Sequence, residues 1–175
     1  MFRKYAIIGL LGLTIALYGI FSAIYLDNIF WYSYFAIGAT IFLSYVTYHI
    51  TNKSLIKKFE KDKFDVIKKY FYYVVIGISI EVIFNYFLDL WSYPKYSLYD
   101  NIVNVFIIGY PFALFLLYES FLIINKKFNF VSSIIIGTIL NTFLNELPNT
   151  FVHEWVYNIP NLNLEILNIN IFVFF

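Results

Sequence analysis

The sequence predicts an all-α fold, a polytopic transmembrane helical bundle. Three observations predict it. Of 175 residues, 61% are apolar and only 13% charged, whereas a soluble domain carries about a quarter charged residues. The mean hydropathy is +0.73. The apolar residues also gather into blocks of roughly 20, the length that crosses a hydrocarbon core of roughly 30 Å.

Five such blocks read as full spans, at about 5–26, 29–50, 70–91, 102–125 and 128–147. The first follows Arg3 and Lys4 and looks like a secretory signal. Its end, Ile24-Tyr25-Leu26-Asp27, offers no small-x-small cleavage site, so it is read as a retained helix. With the second block it forms a first hairpin, 1–50. Segment 51–69 holds Lys53, Lys57, Lys58, Lys61, Lys63, Lys68 and Lys69 and is read as a basic cytoplasmic loop. Leu55, Ile56, Phe59, Phe64 and Ile67 would also permit a short amphipathic helix there. Residues 70–125 form a second hairpin and 128–175 a third. The last helix of the third starts near Ile166 and is expected to be short, reaching about halfway across at about 1.5 Å per residue.

Charge fixes the expected orientation. Arg3, Lys4, the 51–69 lysines, Lys126 and Lys127 fall on one side of the alternating spans, and Lys95 alone on the other. The positive-inside rule then puts the N-terminus in the cytoplasm, in a multi-pass protein of the cell membrane. Trp31, Trp91 and Trp155 all fall near the outer interface.

A shift of 64 residues aligns two segments without a gap. Asn85 falls on Asn149, Phe87 on Phe151, Trp91 on Trp155, Tyr93 on Tyr157, Leu98 on Leu162, Ile102 on Ile166, Asn104 on Asn168 and Ile107 on Ile171. With three tryptophans in the chain, a Trp match carries weight. The expectation is a parallel duplicated helical hairpin, with a shared site between the copies below the two Trp-x-Tyr turns.

The candidate site residues are polar groups inside apolar blocks. Glu81, Asn85 and Asp89 lie at i, i+4 and i+8, on one helix face. Glu119 lies in the fourth span, and Asn141 and Asn145 share a face of the fifth with Glu146 beside them. A carboxylate in hydrocarbon costs roughly 2.5 kcal/mol or more, so it must face the bundle and find a partner. A neutral buried carboxylic acid can serve as a general acid, so Glu81 is the catalytic candidate. Asn85, Asp89, Glu119, Asn141, Asn145, Trp91 and Trp155 are the ligand-binding candidates. On this reading Glu81 finds its partners at Asn141 or Asn145, because Asn145 occupies its place in the second copy. The intramembrane amides also serve as interhelical links, worth about 0.6 kcal/mol each.

Other chemistries are excluded or unsupported. The chain has no cysteine, so disulfides, thiolate metal sites and cysteine nucleophiles are absent. His153 and Glu154 with scattered carboxylates do not make a metal set. No phosphate-cradling glycine loop appears, no cofactor is implied, and a net charge of +1 gives no field for nucleic acid.

The run Glu81-x3-Asn85-x5-Trp91-Ser92-Tyr93-Pro94, then Gly109-Tyr110-Pro111-Phe112-Ala113 and Glu119, resembles a set of uncharacterised duplicated-hairpin, multi-span prokaryotic membrane proteins. His153-Glu154-Trp155-Val156-Tyr157-Asn158-Ile159-Pro160 is similar to their later hairpin. A looser likeness is to the membrane carotenoid cyclases and hydratases, small duplicated bundles whose intramembrane carboxylates protonate a polyene. The first resemblance implies an architecture and the second an acid-assisted isoprenoid chemistry. Three functional classes follow. The first is a lipid-facing protein binding an apolar ligand between its hairpins, with or without chemistry on it. The others are a small proton-coupled carrier and an assembly subunit of a membrane complex. Membrane lipid is the expected partner, with a second copy or another membrane subunit as alternatives.

Overall fold

A computed structural model describes residues 2–158, 165–166 and 169–170. The chain is mostly helical. In order it forms α1 (Phe2–Leu26), α2 (Trp31–Thr51), α3 (Leu55–Lys61) and α4 (Lys63–Ile80), which runs on as a π-helical segment from Glu81 to Phe87. A two-residue strand β1 (Trp91–Ser92) and one turn of helix, α5 (Leu98–Asp100), lead into a second π-helical segment, Asn101–Gly109. Helices α6 (Tyr110–Ile124) and α7 (Phe130–Val152) follow, then strands β2 (Val156–Tyr157), β3 (Glu165–Ile166) and β4 (Ile169–Asn170).

Local chemistry sets the boundaries. Ser54, Asp62 and Asn129 cap α3, α4 and α7 by accepting backbone N–H groups of Lys57, Asp65 and Ser132. Ser97 and Asp100 form a reciprocal capping box before the second π segment. The chain leaves its helices through left-handed residues: Asp27 (φ 44°), Asn52 (φ 56°), Asp89 (φ 50°) and His153 (φ 49°). Asn and Asp tolerate that region better than most side chains.

Helices α1 and α2 pack as an antiparallel pair through small residues. A Cβ added at Gly38 would lie 2.6 Å from the Gly12 carbonyl oxygen, and one at Gly19 would lie 2.6 Å from the Phe35 backbone nitrogen. Close backbone approach at glycine is how helices associate where lipid removes the hydrophobic drive. The opposite stripe of α2, Ser33, Thr40, Ser44 and Thr47, is buried. Thr40 donates to the Phe112 carbonyl at 2.9 Å, and Ser33 donates to Asn104 at 2.5 Å.

Burial is inverted relative to a soluble protein. Among the described residues the buried set is rich in Ser, Thr, Asn and Glu, while Ile, Leu and Phe dominate the exposed large side chains. Among the described residues three helices are long and apolar enough to cross a membrane: Lys4–Leu26, Leu98–Ile124 and Phe130–Val152. That is fewer than the five expected. Helix α2 is diluted by its inward hydroxyls, and α4 carries Lys63, Asp65, Lys68 and Lys69 in its first turns.

The two ends of the bundle differ. At one end Lys4 binds Glu60 at 2.7 Å, Lys126 donates to the Ile50 carbonyl at 2.5 Å, and Asp65 pairs with Lys58 (2.5 Å) and Lys69 (3.5 Å). Lys4 beside Glu60 holds its carboxyl below the usual range. At the other end Lys95 meets Asp27 at 3.1 Å, and Trp31 stacks on Trp155 at 6.0 Å. The expected loop at 51–69 is instead α3 and the first turns of α4, because Ser54 and Asp62 cap them. The expected short sixth helix lies mostly outside the described residues. Where it is described, Glu165–Ile166 and Ile169–Asn170 pair as antiparallel strands.

Candidate functional site: two carboxylate clusters around an aromatic cavity

Glu81 opens the first π segment and is 4% exposed. Four donors converge on it. Tyr93 (2.7 Å) and Tyr110 (2.8 Å) donate hydroxyls to Oε1, Asn85 Nδ2 donates to Oε2 at 2.8 Å, and the Trp91 indole N–H sits 3.2 Å from both oxygens. A carboxylate offers about four lone-pair sites, so this one is filled. Gly77, one turn earlier, makes room. A Cβ there would lie 2.5 Å from Tyr110 Cβ, so the missing side chain lets the Tyr110 ring lie against α4 and reach Glu81.

Glu146, on α7, repeats the arrangement with fewer donors. The Trp155 indole N–H lies 3.2 and 3.1 Å from its two oxygens, and the Tyr157 hydroxyl 2.6 Å from Oε1. Asn149 builds the turn that returns Trp155. Its Oδ1 accepts the N–H groups of Glu154 and Trp155, and its Nδ2 donates to the Trp155 carbonyl.

A two-stranded ribbon joins the clusters. Trp91 pairs with Tyr157 and Ser92 with Val156, antiparallel, and the Asn158 N–H donates to the Leu90 carbonyl at 2.9 Å. The pairing stops at Ser92 and Val156, and Pro94, which has no N–H, lies in the turn beyond. Beneath the ribbon lies a cavity of about 620 Å³, within the usual range for small-molecule sites. Tyr32, Trp91, Tyr93, Tyr110, Trp155 and Tyr157 wall it, with Val105, Gly109 and Ala113 between them. Its polar groups include Glu146, Asn141 and Asn145.

The expected residues divide accordingly. Trp91, Trp155, Asn141 and Asn145 line the cavity. Asn85 binds Glu81 rather than facing the cavity, and Asp89 is exposed and accepts from Asn158 at 3.1 Å. Glu119 is fully buried elsewhere, where it accepts the Leu55 N–H at 2.5 Å and pins α3 against α6. The expectation that Asn141 or Asn145 partners Glu81 is corrected. Asn145 accepts from Tyr32 at 2.9 Å and donates to the Asn141 carbonyl at 2.6 Å, and no polar contact joins it to Glu81. Glu146 is the residue that plays Glu81's part. Tyr32, Tyr93, Tyr110 and Tyr157 were missed as single residues among 17 tyrosines. The signal that finds two of them is the Trp-x-Tyr spacing itself.

Beside the cavity, Glu154 is 2% exposed, with Oε2 lacking a hydrogen-bond partner. Burial pushes its carboxyl up from 4.5 to about 8, and the Tyr96 hydroxyl opposes the shift only in part. The folded state therefore favours the proton. Stability from this group is full below the unfolded value and is lost as pH rises toward 8. Denaturant unfolding in micelles at pH 5, 6.5 and 8 is expected to show a fall of at most ~1.4 kcal/mol per pH unit from this group. Glu154→Gln should remove that slope. An unchanged slope in the variant would show that another group sets it.

Among the described residues no cluster of three or more His, Cys, Asp or Glu could hold a metal ion. Comparison with family models, with curated proteins and with solved structures finds no match to this chain.

Proposed function

We propose that the chain is a multi-pass membrane protein, N-terminus in the cytoplasm, that holds an apolar or amphipathic ligand between two repeated helical turns. The observation that carries this reading is the aromatic cavity of about 620 Å³ with few polar groups in its wall. The exposed Ile, Leu and Phe of α1, α4, the second π segment and α7 support a bilayer around the bundle, and α2, packed between α1 and α6, makes the fifth span. Three matched features support the repeat. Glu81 and Glu146 each bind an indole and a phenol of a Trp-x-Tyr turn. Asp89 and His153, 64 residues apart, both take left-handed backbone. Ser92 and Val156, also 64 apart, face one another in the ribbon.

Trp91 and Trp155 line the cavity and report its filling. In lipid nanodiscs, geranylgeraniol is expected to quench their fluorescence saturably. Ala113→Trp, which fills the cavity, should abolish the saturable part. Equal quenching of both proteins would reject the reading. For orientation, a cysteine at position 97 should label from outside intact cells and one at 61 should not; the reverse would overturn the topology.

A further inference from the structure

We propose that the cavity selects an organic cation, a substituted ammonium or phosphonium centre carried on an apolar body. This rests on the reading that the cavity is a ligand site and names the chemistry of its occupant.

Charge balance comes first. Glu146 lines the cavity, and its hydrogen-bond partners, Trp155 and Tyr157, are neutral. Glu81 stands behind the wall formed by Trp91, Tyr93 and Tyr110, held by these neutral side chains and Asn85. Among the described residues no lysine or arginine lines the cavity. Lys95, at this end of the bundle, meets Asp27. The ion-paired lysines Lys4, Lys58 and Lys69 meet Glu60 and Asp65 at the other end. A carboxylate placed in an apolar cavity without a basic partner is costly, and an entering cation supplies the partner.

The walls add to this. Indole and phenol ring faces attract cations, by about 0.5–2 kcal/mol per ring when water is excluded, and repel anions. The Asn141 amide oxygen, in the same wall, is buried with no hydrogen-bond partner. A neutral apolar guest would bring Glu146 no counter-charge, and an anion would be repelled by it.

The test uses three probes of one shape: tetraphenylphosphonium, neutral tetraphenylsilane and the anion tetraphenylborate. Each is titrated by equilibrium dialysis and tryptophan quenching against the full chain in zwitterionic nanodiscs. Empty discs and Ala113→Trp discs are subtracted. The phosphonium is expected to bind at least about tenfold tighter than the silane, with the borate excluded. Glu146→Gln should weaken the phosphonium by about tenfold or more and leave the silane unchanged. Should Glu146→Gln fail to fold, the order of the three probes on the unaltered chain still decides. Equal binding of phosphonium and silane, or a Glu146→Gln protein that keeps the preference, would overturn the cation proposal and leave the ligand cavity standing. Failure of all three to bind would remove both.

Discussion

Glu81→Leu is expected to lower unfolding stability by roughly 3–5 kcal/mol, the scale on which a buried polar network breaks when its central partner is removed. Leucine fills similar space but accepts nothing. It leaves the Trp91 N–H, the Asn85 amide and the Tyr93 and Tyr110 hydroxyls facing an apolar side chain. Each orphaned donor costs about 1–3 kcal/mol. The sum falls short of additive because the two hydroxyls can turn. Glu81→Gln keeps one acceptor oxygen and turns the other into a donor aimed at donors, so a loss near 1–2 kcal/mol is expected. Glu146→Leu strands only the Trp155 N–H and the Tyr157 hydroxyl and should cost less than Glu81→Leu. Denaturant titration in mixed micelles checks the order. If Glu146→Leu proved the more damaging, the four-donor cluster would not be the stronger clamp.

Gly38→Leu is expected to be the most damaging single change outside the site. The added Cβ would meet the Gly12 carbonyl and the Ala16 backbone, neither of which can swing away as a side-chain tip can. The only relief is to move α1 from α2. Overpacking a tight contact costs about 1–3 kcal/mol and occasionally more, and a backbone-to-backbone contact belongs at the top of that range. A leucine at Gly137, where the nearest atoms lie 3.6 Å or more from the added Cβ, should be tolerated far better. Parallel unfolding of the two variants tests this; equal loss would mean that α1 and α2 are not held by their glycine contacts.

The helical class was legible because hydropathy is summed over twenty residues, and single substitutions barely move it. The direction in which Glu81 faces was legible for the same energetic reason, since an unpartnered carboxylate cannot face lipid. Its partners were not. A gapless 64-residue shift pairs Glu81 with Asn145, yet Glu81 lies ten residues before its indole and Glu146 nine before its own. The π segment Glu81–Phe87 explains the mismatch. Its wider turn holds one more residue than an α turn, so the carboxylate and indole meet despite the insertion. Residue-by-residue matching has no means of seeing that. The partner of Glu119 was hidden for a different reason. The depth of Glu119 in an apolar run gave it the look of a site residue, while its partner is a backbone N–H at Leu55, which no side-chain pattern announces. The capped helices at 55–80 were obscured by seven lysines, whose charge dominates any reading by composition.

The ribbon is also a mechanical part. It bridges the end of the first π segment and the end of α7, so the mouth of the cavity cannot widen without straining it. Its fastening is lopsided. On the Leu90 side the Asn158 N–H holds the two strands together. Past the Ser92–Val156 pair the Glu154 N–H goes to Asn149 Oδ1 rather than across to the other strand. The edge with fewer cross-strand bonds is the one beside Glu154.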